Sequence, residues 1–256
     1  MIPKIIPKII PKIIPKTIPK IIPKIIHQTW KNKIIPENWK EGVESFKKKH
    51  PKFKYKLWTD DKMEKFVISE YPNFYDTYMS YKYNIQRCDV FRYLVLYKYG
   101  GLYVDMDVVC NKEIDSLLKY DIIFAKSSNV ETSFTNSFFM VKPKHEFIKF
   151  CIDNLPDYIN SYSYFGKHFH IMNSTGPTFL SKMIKKYNIT NINNCYVLSN
   201  DEFAGDCNVC NEDVCKGGIY FRHIKGQTWN SFDSYFLNFC LCNYLKIKTN
   251  INSLIT

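Results

Sequence analysis

Asp105 and Asp107 are the residues whose type and spacing most directly suggest chemistry. They sit in the run Leu102-Tyr103-Val104-Asp105-Met106-Asp107-Val108-Val109, which alternates as a strand does. Alternation turns Leu102, Val104, Met106 and Val108 toward a core and both carboxylates to the opposite face. Their β-carbons would stand about 6–7 Å apart at a rise of ~3.3 Å per residue. At an effective dielectric of ~20, two charges at that distance repel by roughly 2–3 kcal/mol. A divalent cation that prefers oxygen ligands is the simplest offset. Taken alone, an Asp-x-Asp is more often two solvated acids at a strand end.

The segment before the pair must position it. From Asn84 to Tyr99 the apolar residues lie almost all the way round a helix: Ile85, Cys88, Val90, Phe91, Leu94, Val95 and Leu96. Such a helix belongs inside a protein. Asp89 and Arg92 break the pattern, three apart and so neighbours on one face. Gly100 and Gly101 offer the positive-φ positions that stop a helix and turn the chain into the strand.

The ordered series Asp89-x-x-Arg92-Tyr93, Leu96-Tyr97, Gly100-Gly101-x-Tyr103-x-Asp105-x-Asp107 resembles the signature of glycosyltransferase family 32. That family contains Golgi mannosyltransferases and shares its core with clostridial glucosylating toxins. A compound motif in the right order is far more specific than any fragment of it. The resemblance covers about residues 22–230. It implies an α/β chain of GT-A type, a Rossmann-like α/β/α sandwich with a mostly parallel mixed sheet. A single catalytic domain over 23–256 then follows a low-complexity arm at 1–22.

The resemblance also implies an activity. It is that of a retaining hexosyltransferase using a GDP- or UDP-sugar, a glycan, lipid or protein acceptor, and Mn²⁺ or Mg²⁺. Carried onto this sequence, Asp107 binds the metal, and Asp105 binds it directly or through water while touching ribose or sugar. Asp89 and Arg92 hold the donor. Trp30 stacks on the base, with His27 and Gln28 beside it at the end of the strand Ile25-Ile26, and Asn136 approaches the donor sugar. His223 is the expected third metal ligand. Trp229 completes the donor set, with Thr228 standing where the family has serine. The departing diphosphate carries negative charge, and a cation at Asp105 and Asp107 would neutralise it as it develops. Read from the residues alone, Asp89 and Arg92 fit equally a buried structural ion pair of little net stability.

Two other classes compete. Asp105-Met106-Asp107-Val108-Val109 fits the haloacid-dehalogenase phosphatase pattern, with Asp105 as nucleophile, but a helix and Gly-Gly precede it and the acidic pair Asp60-Asp61 lies on the wrong side. A catalytically inactive sugar-binding protein is the other, and the intact Asp105, Asp107, Arg92 and His223 count against it.

Composition sets looser bounds. With 256 residues, 45% apolar and 23% charged, the chain supports one full core. The net charge is +12, and Lys4, Lys8, Lys12, Lys16, Lys20 and Lys24 supply six of it. The remainder suits phosphate-bearing ligands or anionic surfaces. Arginine occurs only at 87, 92 and 222, which argues against reading nucleic-acid bases. The Ile-Pro-Lys repeat over 2–26 cannot be a helix, since proline recurs every fourth residue. It reads better as a slippage expansion than as a basic arm for peripheral membrane contact. No run reaches the ~18 apolar residues of a spanning helix, and no leader-like stretch opens the chain. The expected location is therefore cytoplasmic or cytosol-facing. Nine cysteines, an odd number, suggest reduced thiols, and Cys207-x-x-Cys210-x4-Cys215 is an incomplete zinc pattern.

Around the motif the sequence predicts helices at 37–52, 61–70 and 145–155, and one opened by Thr175-Gly176-Pro177. It predicts strands at 53–58, 122–125, 135–140 and 219–223, an aromatic acceptor loop at 157–172 and a closing helix within 230–256.

Overall fold

The computed structural model describes residues 19, 21–127, 133–191, 194–204 and 218–224. Most of the Ile-Pro-Lys repeat, the cluster Cys207, Cys210 and Cys215, Trp229 and the tail from 230 lie outside the described residues. The first half comprises β1 (Ile25–Thr29), α1 (Glu37–Lys49), β2 (Lys54–Trp58), α2 (Asp60–Glu70), α3 (Tyr75–Ser80), α4 (Asn84–Tyr99), β3 (Gly101–Val104) and β4 (Val108–Cys110). The rest comprises β5 (Ile122–Lys126), β6 (Phe134–Val141), α5 (Glu146–Asn154), α6 (Lys167–Ser174), α7 (Pro177–Tyr187), β7 (Cys195–Leu198), β8 (Phe203–Ala204) and β9 (Phe221–His223).

Six strands form one mixed sheet in the order β2-β1-β3-β6-β5-β7. β1 runs parallel to β2 and β3, and β5 runs parallel to β7, while β6 is antiparallel to both β3 and β5. Apolar side chains cover both faces. Tyr103, Phe124 and Phe139 join the core beneath α2, α4, α5 and α7, while Leu102, Val104, Phe138 and Met140 join the opposite core. This is an α/β sandwich of GT-A type.

The central helix forms where its pattern predicts. At its start the Tyr83 N–H donates to Gln86 Oε1 at 3.0 Å, closing a capping box. At its end Gly100 and Gly101 take φ of 62° and 99°. A β-carbon on Gly101 would meet the Ile25 carbonyl oxygen at 2.6 Å, so the turn into β3 needs glycine for space as well as for φ. Val90, Phe91, Leu94, Val95 and Leu96 are fully buried, each contributing about 1.5–3 kcal/mol by leaving water. Thr59 caps α2 by accepting from Lys62 N at 3.4 Å, and Pro177 opens α7.

The predicted strand over 102–109 does not run through. β3 stops at Val104, residues 105–107 form a turn closed by Val108 N to Asp105 O at 3.3 Å, and β4 then joins β9 and β8 in a second, three-stranded sheet. Alternation holds as far as Asp105, which lies on the Tyr103 side, and is lost after it. Met106 is buried against Trp39 and Val43 of α1. α1 comes this close because residue 42 is glycine, where a β-carbon would stand 2.0 Å from the Met106 carbonyl oxygen.

That contact fixes the sign of a mutation. Helix propensity alone makes Gly42→Ala stabilising by about 1 kcal/mol. The close approach to the 105–107 turn predicts destabilisation of about 1–3 kcal/mol instead. Chemical denaturation of the variant measures which effect wins.

Candidate functional site

The C-terminal ends of β1 and β3, the start of α2 and the start of α4 enclose a cleft of about 420 Å³. Parallel strands that end together leave such a crevice, where α/β sheets commonly bind ligands. Asp105, Asp107, Arg92 and Trp30 all line it.

Arg92 is the centre of the arrangement. Its side chain is 3% exposed and its guanidinium lies 4.7 Å from the Tyr103 ring centroid. One Nη donates to the Asn136 carbonyl, and the other lies 2.8 Å from Asp89 Oδ1 and 3.7 Å from Asp105 Oδ1. Burial works against its charge, but Tyr103, Asp105 and Asp89 together hold it protonated above the usual arginine range. Asp89 is itself saturated. Its Oδ1 accepts from Asn136 Nδ2 at 3.0 Å and its Oδ2 from Thr175 Oγ1 at 2.9 Å. Burial pushes the Asp89 carboxyl up to about 6, and Arg92 with the two hydrogen bonds recovers only part of that cost.

A second chain of contacts sets Asp105. The Tyr103 hydroxyl donates to Asp105 Oδ1 at 3.0 Å and so accepts from Thr29 Oγ1 at 2.9 Å. The Asp105 backbone N–H donates to Ser137 O at 2.9 Å, a last rung beyond β3. Asp107 lies past Met106, with its Oδ1 3.9 Å from His223 Nδ1.

Several expected residues do not reach the cleft. His27 is fully buried, its Nδ1 accepting from Trp58 Nε1 and its Nε2–H donating to Gly100 O, both at 3.0 Å. That pairing fixes a neutral tautomer, and burial pushes the imidazole down to about 3. Gln28 is also buried, between the Tyr55 hydroxyl and the Asp105 carbonyl. The Asn136 amide is spent on Asp89. All three serve the scaffold, because neither face of β1 or β6 is open to solvent at those positions. Asp89 acts through Arg92 and does not line the cleft. Trp229 lies outside the described residues.

The sequence reading missed Asp60 and Asn84. Both line the cleft, with Asn84 Nδ2 donating to Asp60 Oδ2 at 3.2 Å, and burial raises the Asp60 carboxyl above its ordinary range. Asp60 follows the capping Thr59 and reads as the first turn of α2, which hid its second role. Thr175 reads in the sequence as part of the opening of a helix with Gly176 and Pro177, and nothing local links it to Asp89, 86 residues away.

The residues fit a divalent cation in part. Among the described residues no three His, Cys, Asp or Glu side chains gather as a metal cluster. His223, the expected third ligand, pairs its Nε2 with Ser137 Oγ at 3.1 Å. A Mg²⁺-type ion needs only one or two carboxylates when substrate phosphates and water complete its shell. Asp105 and Asp107 suffice for that. Trp30 Nε1 and Arg92 Nε, both at the cleft, are buried N–H donors with no hydrogen-bond partner among the described residues. Buried donors of this kind want acceptor oxygens.

Comparison with known proteins follows the same lines. The family profile described as a glycosyltransferase sugar-binding region containing a DXD motif matches residues 36–123. Inositol phosphoceramide mannosyltransferase 3 of Schizosaccharomyces pombe is 44% identical over 61% of this chain and 43% of its own length. Inositol phosphoceramide mannosyltransferase 1 of the same yeast is 35% identical over 82% and 62%. The chain thus spans about two fifths to three fifths of these curated relatives. Among solved structures, the PaToxG glycosyltransferase superposes at a TM-score of 0.50 over 66% of this chain and 71% of its own, with 20% identity, a likeness of fold. The phosphatase alternative is not favoured.

One expectation is overturned. The relatives are named as inositol phosphoceramide mannosyltransferases, enzymes of a lipid acceptor, so the expected cytoplasmic or cytosol-facing location does not stand. Among the described residues no helix is long and apolar enough to cross a membrane.

Asp89 supplies a pH test. Its folded pKa of about 6 exceeds the ordinary 3.8, so the native state takes up the proton first as pH falls. Its contribution to stability is therefore fully present below pH ~4 and is lost as pH rises through ~6. Asp89→Asn should flatten that pH dependence, and at neutral pH it should lower stability by about 3–5 kcal/mol because the buried Arg92 loses its closest charge partner. Melting curves of both proteins from pH 4 to 7 measure the difference.

Proposed function

Because the chain belongs to the glycosyltransferases with a DXD-containing sugar-binding region, we propose that it transfers a hexose, mannose by kinship, from a nucleotide-diphosphate sugar to an inositol-phosphate sphingolipid or similar glycolipid acceptor. The named activity of the relatives supports the sugar and the acceptor. The donor base, guanine or uracil, stays open. The observation that carries the reading is the composition of one cleft, lined by two carboxylates, a buried guanidinium and two residues, Trp30 and Arg92, whose buried N–H donors have no hydrogen-bond partner among the described residues.

Each residue then has a task. Arg92, held protonated and immobile by Asp89, directs positive charge at the donor phosphates or sugar oxygens. Trp30 offers an aromatic face to the base, and Asp60 with Asn84 offers an acceptor and a donor to ribose or sugar hydroxyls. Asp107, with Asp105 directly or through water, would hold Mn²⁺ or Mg²⁺, which supplies neutralisation of the leaving diphosphate. Asp105 is shared between that role and the Arg92 and Tyr103 contacts that orient it. Such preset charges work because they are already aimed before the bond breaks. His223 stands beside Asp107 from the second sheet, its Nδ1 3.9 Å from Asp107 Oδ1. The resemblance favours retention at the anomeric carbon.

Asp107→Ala tests the reading. We expect metal-dependent donor hydrolysis and transfer to fall by at least ~10²-fold, the scale of losing one preset electrostatic contact, with an unchanged melting temperature. Retained turnover in the folded variant contradicts the assignment.

A further inference from the structure

Three aromatic side chains lie in solvent within four residues. Tyr164 is 99% exposed, Phe165 67% and Tyr162 49%. They ride on one 3-10 turn, Ser163–Phe165, flanked by positive φ at Tyr162 and Gly166. The turn presents the rings outward while the chain on either side packs down, with Leu155 and Ile171 buried. A cluster of exposed rings marks a surface that something covers.

Charge narrows what that is. From Tyr158 to Tyr187 the sequence holds Lys167, Lys182, Lys185 and Lys186 and no Asp or Glu. Lys182 Nζ lies 5.3 Å from the Tyr162 ring centroid and Lys167 Nζ 5.6 Å from that of Tyr83, with Lys82 on the same Tyr83 ring at 5.4 Å. Tyrosine and phenylalanine rings beside lysines are the composition of a headgroup-level membrane contact. A protein partner would more often be met by a polar rim of both signs.

Position gives the contact a purpose. α6 starts two residues after Phe165, and its Lys167 and His170 both touch Tyr83. Tyr83 immediately precedes Asn84, which lines the cleft. We propose that Tyr162, Tyr164 and Phe165 form a membrane-docking tip that inserts at the headgroup level of a bilayer bearing anionic lipid. The tip thereby holds the neighbouring cleft against an acceptor embedded in that bilayer. The second clause rests on the reading of the acceptor as a lipid. The docking itself does not.

The test uses the full chain and two kinds of vesicle, phosphatidylcholine alone and phosphatidylcholine doped with phosphatidylinositol. Wild type should float with the doped vesicles, and the Tyr162→Ser, Tyr164→Ser, Phe165→Ser triple variant should partition about tenfold less, because binding scales with buried apolar area. Equal partition of variant and wild type, or no binding by either, overturns the proposal. A second variant, Tyr164→Trp, should show extra fluorescence quenching by lipids brominated on the acyl chain. Absence of extra quenching means that the tip meets something other than a bilayer. Nucleotide-sugar binding is measured on the same triple variant by thermal shift and should be unchanged. Loss of nucleotide binding in wild type with vesicle binding intact would sink the proposed function and leave the tip standing, and the reverse result would do the opposite.

Discussion

The structure turns on a buried positive charge. Arg92 sits under the cleft with its guanidinium over the Tyr103 ring and between two carboxylates. Removing such a cation from water costs several kcal/mol, and a single ion pair rarely recovers it. Here the recovery is distributed: Asp89 and the Asn136 carbonyl accept from it, Tyr103 contributes about 2 kcal/mol as a desolvated cation–π contact, and Asp105 lies at the edge of the cleft. The partners come from α4, β3 and β6, so the charge is stable only when these three elements are assembled. Asp89 in turn needs Thr175, just before α7, and Asn136. A site residue is thereby tied to most of the larger sheet.

This arrangement explains why the two aspartates are not on one strand. Of the two motif aspartates, Asp105 is the one that stands beside Arg92, at 3.7 Å. A straight strand would have carried Asp107 out along the same face. The turn at 105–107 instead lets the chain leave the six-stranded sheet and enter the three-stranded one, where β9 brings His223 next to Asp107. Met106 pins the turn to α1, and the missing side chain at Gly42 makes room for it. The two carboxylates therefore stand at either end of the turn that joins the two sheets, and both line the cleft.

How much of this the sequence disclosed depends on distance along the chain. The helix from Asn84 to Tyr99, its glycine stop and the compound motif were legible because each is local and periodic. The roles of His27, Gln28 and Asn136 were not. A strand of alternating residues does not say which face a layer of helices covers, and those side chains turned out to satisfy Trp58, Tyr55 and Asp89. The break after Val104 was invisible for a related reason: Asp105-Met106-Asp107-Val108 keeps a strand-like pattern while the backbone changes sheets. Asp60 was hidden by its place in a helix start, where an acid needs no further explanation. Thr175 could have been found only in three dimensions.

The most direct measurement is the melting temperature of the full chain against UDP- and GDP-linked sugars, each with and without Mn²⁺. A ligand that binds only the folded state raises the melting temperature by mass action. The account predicts a rise that needs the metal and is confined to one nucleotide class. No rise with any nucleotide, with or without metal, would contradict it, since the cleft built around Arg92 would then not be a donor site.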